Sequence, residues 1–356
     1  MDVRRLLREF NLQPQKGLGQ NFLISEGALR RIVAAADLEP EDVVLEVGPG
    51  LGTLTRLLAQ QAEQVIAVEL DQRLVKILSR TLADFPNVEI VQGDILEMKP
   101  GGPGGLSELS PGYKVVANLP YYITSAVLRH LLTAEVKSQL IVVTVQREVA
   151  RRMIAGPGQM SLLSVSVQFY GCPRIVVRIP AGAFYPVPKV NSAVVRIDLY
   201  DSPPVAVADV DRFFEVVRAG FGHKRKQLRN ALAQGLSLPV GTVVEALRRA
   251  GVDEKRRAQT LSLEEWARVT HSFSDKGKAR PTLRPQSPQN PCQARAKDEA
   301  DKDSQDRHDD TDQYPGGDKP AAEHETIAES QSPLHCLPPF PGTLEAILSP
   351  SKTIIS

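Results

Sequence analysis

Short apolar runs alternate with longer amphipathic segments between residues 28 and 150. Runs rich in valine, isoleucine and leucine are typical of buried strands, whereas apolar residues that recur every three or four positions are typical of helices. Short buried strands separated by helices indicate a parallel sheet that is covered on both faces. The pattern predicts strands at 43–47, 65–69, 88–92, 114–117 and 140–146, and helices at 28–36, 53–61, 71–84 and 125–132.

The pattern becomes purely helical after about residue 203 and remains so up to residue 274. We therefore expect an α/β, Rossmann-like domain over residues 1–202 and a small all-helical domain over residues 203–274. The glycine-rich segment 101–112, GGPGGLSELSPG, lacks the lysine and the serine or threonine of a P-loop. We expect this segment to form a flexible surface loop.

Charge and proline content distinguish the last part of the chain from the rest. Residues 275–356 contain 10 Lys+Arg, 14 Asp+Glu and 11 of the 27 prolines, whereas residues 1–274 contain 33 Lys+Arg and 28 Asp+Glu. Because such a segment cannot bury enough apolar surface to offset its ordering entropy, we expect residues 275–356 to be disordered. The chain has no apolar segment near the ~20 residues of a membrane span and no signal-like start, so we expect a cytoplasmic protein.

Ligands of such sheets bind at the carboxyl ends of the strands, and the first two strands end on informative residues. Gly48, Gly50 and Gly52 follow the first strand and allow a ligand to approach the backbone near the start of the next helix. Pro49 removes an amide donor, which argues against a phosphate cradle. Glu69 ends the second strand and can accept hydrogen bonds from two ribose hydroxyls. The alternatives are a turn that serves packing alone and a solvated acid.

The third strand is followed by Asp94 and Ile95. A carboxylate at this position can accept hydrogen bonds from an adenine amino group, and the isoleucine side chain can cover a flat ring. The alternative is that Asp94 caps the next helix.

The fourth strand ends in the sequence Asn118, Leu119, Pro120 and Tyr121. The amino group of a base donates two hydrogen bonds, which the Asn118 side-chain oxygen and the carbonyl of Leu119 or Pro120 could accept. The proline makes this turn rigid, and Tyr121 can stack on the base. Two acceptors favour a more tetrahedral and more nucleophilic nitrogen, so the motif predicts group transfer to a base amino group. The alternative is an ordinary turn at a strand exit.

The combination of these motifs resembles the bacterial small-subunit rRNA adenine N6-dimethyltransferases over roughly residues 10 to 270. The resemblance implies a class I methyltransferase fold with S-adenosylmethionine as the methyl donor. The segments that carry it are GLGQNFL, VGPGLGTLT, VELD, QGDIL, NLPYY, QREVARRM, FYPVPKVNSAVV and FGHKRKQLRNAL.

The resemblance also assigns residues that the sequence pattern alone does not. Asn21 and Leu23 match the segment that closes over the cofactor, and Phe184 matches a ring that holds the flipped adenine from its other side. Without the resemblance, Phe184 would be interpreted as packing and the QNF segment as a loop. The cofactor-binding candidates are Asn21, Leu23, Gly48, Gly50, Glu69, Asp94, Ile95 and Asn118. The catalytic candidates are Asn118, Pro120, Tyr121 and Phe184.

A basic run in the helical region is the candidate RNA contact. Such a run can be a solvated helix end, but beside an adenine pocket it favours salt-dependent binding of phosphates. Arg147, Arg151 and Arg152 could extend the basic surface. The predicted RNA-binding residues are Arg218, Lys224, Arg225, Lys226 and Arg229; His223 belongs to the same run.

The motifs predict methyl transfer to a base amino group, and the resemblance implies dimethylation of two adjacent adenosines in the loop of the hairpin near the 3′ end of 16S rRNA, within the 30S subunit precursor. We expect the enzyme to be a monomer. We also expect it to use no metal, because the six histidines and three cysteines are scattered without metal-ligand spacing. The alternatives are a 23S rRNA adenine dimethyltransferase of the macrolide-resistance type, a non-catalytic ribosome assembly factor, and a nicotinamide-dependent oxidoreductase.

Overall fold

The apolar runs and amphipathic segments form strands and helices in the computed structural model, which describes residues 2–103, 106–223 and 225–274. The predictions for Lys224 and for residues 275–356 lie outside this range. The helices are α1 Val3–Glu9, α2 Glu26–Ala36, α3 Thr55–Ala59, α4 Gln72–Thr81, α5 Thr124–Leu132, α6 Arg147–Met153, α7 Leu162–Tyr170, α8 Val210–Phe221, α9 Leu228–Gly235, α10 Val240–Arg249 and α11 Leu263–Ser274. The strands are β1 Phe22–Leu23, β2 Val43–Val47, β3 Gln64–Glu69, β4 Val88–Gln92, β5 Lys114–Asn118, β6 Leu140–Gln146, β7 Gly171–Ile179, β8 Phe184–Tyr185 and β9 Ser192–Leu199.

The main sheet has seven strands within the described residues, in the order β4-β3-β2-β5-β6-β9-β7. The five predicted strands, β2 to β6, are parallel to one another, as expected for buried strands that are joined by helices. β9 then pairs antiparallel with both β6 and β7, which makes the sheet mixed. The predicted α/β, Rossmann-like fold is confirmed, and the antiparallel edge is an addition to it.

Alternate residues of the central strands point to opposite faces of the sheet. Val44 of β2 packs with α2 in one core, whereas the adjacent Leu45 packs with α5 in another. The sheet is therefore covered by helices on both faces, and its central strands place their ends at one common edge.

Helices α8 to α11 surround a third core, centred on the fully buried Trp266. This core also includes Phe169 of α7, which stacks on Phe213 with ring centroids 4.9 Å apart. α8 approaches Trp266 so closely that a Cβ at Gly220 would lie 2.4 Å from the indole ring. The predicted helical character of this region is confirmed.

Residues 106–112 of the glycine-rich segment are anchored, which corrects the expectation of a flexible surface loop for this part of it. Leu106 and Leu109 are fully buried and join the core beneath α5. The Gly101 amide donates to the Leu106 carbonyl over 2.8 Å. Burial of two leucines fixes residues 106–112 in place. No helix within the described residues is long and apolar enough to cross a membrane.

Candidate active site

A cavity lies at the carboxyl ends of the central strands, where the parallel topology brings the four predicted motifs together. Its atom-free space is about 1060 Å³, including the part that is open to solvent. All the cofactor-binding and catalytic candidates line this cavity: Asn21, Leu23, Gly48, Gly50, Glu69, Asp94, Ile95, Asn118, Pro120, Tyr121 and Phe184.

The glycine turn after β2 requires backbone conformations that other residues rarely adopt. Gly48 and Gly50 have φ angles of +71° and +64°. Around Gly48 a Cβ would meet no atom within 4 Å, so the backbone there is open to a ligand. At Gly50 a Cβ would lie 3.1 Å from the ring of Phe22, so this glycine lets β1 pack on the turn.

The carboxylate of Glu69 is buried at the end of β3 and bonded to the backbone. It accepts hydrogen bonds from the amides of Gly50, over 3.1 Å, and Asp71, over 2.9 Å. Burial raises the pKa of Glu69, while these two amides oppose the shift. The carboxylate thus fixes the glycine turn, whatever further hydrogen bonds it makes to a ligand.

A second acidic side chain, that of Glu46 in β2, also lines the cavity and is only 1% exposed. Burial raises the pKa of Glu46 to about 8; the nearby Thr55 hydroxyl opposes this shift and the charge of Glu69 adds to it. Glu46 Oε2 has no hydrogen-bond partner within the described residues. The buried Glu46 oxygen without a partner is open to a polar ligand, which would supply the missing interaction.

Asp94 lies in the loop after β4, with Ile95 buried beside it. Asp94 Oδ1 accepts the amide of Leu96 over 2.9 Å, and no regular helix follows, so the alternative of a helix cap is wrong. Oδ2 accepts no hydrogen bond from the described residues. The hydrogen bond to Oδ1 therefore orients the carboxylate, and Oδ2 is available to accept a hydrogen bond from a ligand.

Asn118 is held by the N-terminal segment. Its Nδ2 donates to the main-chain carbonyl of Asn21 over 3.3 Å, which leaves Oδ1 as a free acceptor. The Pro120 carbonyl already accepts from the Ile123 amide and the Thr124 hydroxyl at the start of α5. No described residue donates to the Leu119 carbonyl, so Leu119 is the better second acceptor of the two that the sequence left open.

Tyr121 is half-buried, and its hydroxyl lies 2.7 Å from Ser192 Oγ at the start of β9. Burial raises the pKa of Tyr121, with the Ser192 hydrogen bond opposing the shift. Phe184 is 1% exposed and packs in the same core as Leu23 and α2, so it combines the predicted cavity position with the packing that its sequence alone suggests. Both rings are fixed in place by their surroundings.

The N-terminal segment covers the cavity through contacts with several of its walls. β1 pairs antiparallel with β8, which places Leu23 opposite Phe184. Gln20 Nε2 donates to Asp71 Oδ2 over 2.9 Å at the end of β3. The QNF segment and the FYPVPKV segment thus form one two-stranded unit next to the strand ends.

The predicted RNA-binding residues that the structure describes do not line this cavity. Arg225 and Lys226 are exposed in the turn between α8 and α9, while Arg218 and Arg229 are partly exposed. Arg229 lies 3.9 Å from Glu254, so its charge is partly compensated. Within the described ranges, no group of three or more histidine, cysteine or acidic side chains could hold a metal ion.

Three residues of the site were missed by the sequence reasoning. Ser192 contacts Tyr121 across 71 positions of the chain, so no local pattern could reveal it. Tyr122 was noted only as part of the NLPYY segment and was given no role of its own. Glu46 had a visible signal, because it is the one charged residue in the buried run VVLEV.

Comparison with known protein families gives one match over most of the chain. The family model described as "Ribosomal RNA adenine dimethylase" matches residues 11–275. A protein of Dehalococcoides mccartyi named "Ribosomal RNA small subunit methyltransferase A" is 51% identical over 264 residues, which cover 74% of this chain and 90% of that protein.

Two solved structures share the fold. The 23S rRNA methyltransferase ErmE is 32% identical with a TM-score of 0.57, over 71% of this chain and 100% of that chain. A dimethyladenosine transferase from Plasmodium falciparum is 25% identical with a TM-score of 0.61, over 71% of this chain and 97% of that chain.

Proposed function

Because the chain belongs to the ribosomal RNA adenine dimethylase family and is an S-adenosylmethionine-dependent methyltransferase, we propose that it dimethylates N6 of two adjacent adenosines in the loop of the hairpin near the 3′ end of 16S rRNA. The relative named for the small ribosomal subunit is 51% identical, against 32% for the solved 23S rRNA enzyme. This difference supports the small-subunit substrate. We further propose that the enzyme acts as a cytoplasmic monomer on the 30S precursor, in small-subunit biogenesis.

The cavity fits S-adenosylmethionine, which supplies an electrophilic methyl group on a positively charged sulfur. Gly48 offers open space along the backbone, and the carboxyl group of Glu46 offers a buried oxygen without a partner. We assign the ribose to Glu69, and the adenine to Asp94 and Ile95. Asn21, Leu23, Gly50 and Asn118 complete the set of residues that would hold the cofactor.

The acceptor side is carried by Asn118, whose amide orientation is the observation that supports the proposal most strongly. Because Nδ2 is bonded to the Asn21 carbonyl, Oδ1 is available for one hydrogen of the target amino group. The Leu119 carbonyl can accept the other. These bonds draw the nitrogen lone pair out of conjugation with the ring and increase its nucleophilicity.

Two aromatic rings would orient the target base. Tyr121, held by Ser192, and Phe184, held in the core, could stack on opposite faces of the flipped adenine. Pro120 fixes the turn between Asn118 and Tyr121. Alignment of the nitrogen with the methyl group is then the main catalytic contribution of the chain.

RNA binding is assigned to the helical region 203–274, and catalysis to residues 1–202. Arg225 and Lys226 are exposed and could contact phosphates, although Lys226 Nζ also donates to Gln234 Oε1 over 2.5 Å; Arg218 and Arg229 flank them in sequence. Lys224 belongs to the same basic run, outside the described residues. These contacts would provide affinity, while the cavity selects the unpaired adenine.

Substitution of Asn118 tests the proposed chemistry. Asn118→Ala should still bind small subunits but, at saturating S-adenosylmethionine, lower the methylation rate by about 100-fold or more, the usual scale for a group that acts on charge in the transition state. Gln60→Ala, which removes an exposed amide after α3, is the matched control and should behave as the wild type. Wild-type rates in Asn118→Ala would contradict the assigned role.

Two other functions predict different outcomes. An enzyme of the 23S rRNA type would label 23S rRNA rather than small-subunit RNA, and its solved representative shares the fold. A non-catalytic assembly factor would bind the particle and leave its adenosines unmodified, with no effect of Asn118→Ala.

A further inference from the structure

One exposed aromatic ring lies at the edge of the cavity and has no part in the assignments above. Tyr122 lines the cavity and is 55% exposed, although the preceding Tyr121 is half-buried. Among the described residues no other phenylalanine, tyrosine or tryptophan is as exposed. Two consecutive tyrosines thus present their rings at different depths of one site.

The Tyr122 ring is supported from one side by the backbone. A Cβ at Gly19 would lie 3.2 Å from Cδ1 and 3.3 Å from Cε1 of the ring, and 3.4 Å from Cβ of Pro120. Gly19 also has a φ of +61°, which disfavours any side chain there. The ring therefore rests on glycine backbone and is restricted before any ligand binds, which reduces the entropy cost of stacking.

We propose that Tyr122 stacks on the nucleobase adjacent to the target adenine and so forms a second base site at the mouth of the cavity. The proposal rests on the proposed function, because it takes the ligand to be an unpaired RNA loop. A base that enters the cavity leaves its stack, and its neighbour loses a stacking partner at the mouth. An aromatic ring replaces that partner whatever the base, since every base has a π-face.

This site would also explain how one cavity serves two neighbouring adenosines. When the first adenosine occupies the cavity, the second lies beside Tyr122, and the two exchange places for the next modification. Stacking without base-specific hydrogen bonds permits this exchange, because the ring accepts modified and unmodified adenine alike. Tyr122 is therefore a contact that positions the neighbouring base rather than a catalytic residue.

Fluorescence of RNA hairpins that contain 2-aminopurine at either of the two adenosine positions tests the proposal, because stacking quenches this base analogue. Tyr122→Phe keeps the ring, and Tyr122→Leu keeps apolar bulk without a π-face. Val240→Ala removes an exposed apolar side chain of α10 and is the control. We expect the wild type, Tyr122→Phe and the control to quench equally, whereas Tyr122→Leu loses quenching at the neighbouring position and binds the hairpin roughly tenfold more weakly.

Equal quenching and affinity in Tyr122→Leu would overturn the proposal. So would a parallel tenfold loss of S-adenosylmethionine affinity, measured by calorimetry, because the ring would then support the cofactor site instead. Methylation of small subunits by the wild type is followed separately. If the wild type does not methylate small subunits but quenching still depends on Tyr122, the proposed substrate is contradicted and the proposed stacking site is still supported.

Discussion

Removing either partner of the hydrogen bond between Tyr121 and Ser192 should destabilise the fold, and the two substitutions should differ in how much unfolding free energy they cost. Ser192 is 0% exposed, and the Tyr121 hydroxyl, 2.7 Å away, is the one side-chain partner it has within the described residues. Tyr121→Phe leaves this buried hydroxyl unsatisfied, which costs about 1–3 kcal/mol of unfolding free energy. Ser192→Ala leaves the tyrosine hydroxyl on a half-buried ring, where loss of the bond costs about 1 kcal/mol.

The double variant should reveal the coupling, because it removes both polar groups. Tyr121→Phe/Ser192→Ala should be more stable than Tyr121→Phe, with a coupling free energy of about 1–2 kcal/mol in urea unfolding. If the bond aligns the ring with the target base, each single variant should also lose about fivefold in kcat/KM, corresponding to about 1 kcal/mol. The double variant should lose no more than the worse single variant.

Tyr113→Phe provides a matched control, since its buried hydroxyl has no hydrogen-bond partner within the described residues. This substitution should combine additively with Ser192→Ala in both measurements. Additive losses for Tyr121→Phe and Ser192→Ala would refute the reasoning, because two residues that act through one bond cannot contribute independently.

Two further predictions concern charge. The raised pKa of Glu46, about 8 against an ordinary 4.5, means that the folded state binds this proton more tightly, so its contribution to stability is present below pH ~4.5 and is lost as pH rises through about 8. Glu46→Gln should therefore raise the Tm of the cofactor-free protein at least about 2 °C more at pH 9 than at pH 5, and an equal change at both pH values would contradict this cause. Arg225→Ala and Lys226→Ala should each lower RNA affinity and reduce the slope of log K against log salt by about 1, whereas Arg30→Ala on α2 should leave the slope unchanged. An unchanged slope in the first two variants would remove them from the RNA interface.

The sheet from β2 to β6 was predictable because its strands are continuous apolar runs between helices, a pattern that does not depend on the rest of the chain. β7 and β9 were not predicted as strands, although β9 brings Ser192 to the site. β1 and β8 have two residues each, too few to show a period of two. Their pairing depends on contacts between residues more than 160 positions apart, which local periodicity cannot reveal.

The candidate site was largely predictable for a related reason. Parallel strands end at one edge, so chemical groups at successive strand ends lie together even when the sequence separates them. The orientation of each group was not predictable. The Asn21 carbonyl sets the Asn118 amide and the start of α5 occupies the Pro120 carbonyl, and both contacts exist only in the folded chain.

The most direct test of the central claim is to incubate the purified protein with labelled S-adenosylmethionine and undermethylated small ribosomal subunits, and then to map modified nucleosides in the rRNA. The proposed function predicts N6,N6-dimethyladenosine at two neighbouring positions in the hairpin loop near the 3′ end of 16S rRNA. Label in 23S rRNA instead, or unmodified adenosines in particles that the protein binds tightly, would contradict it.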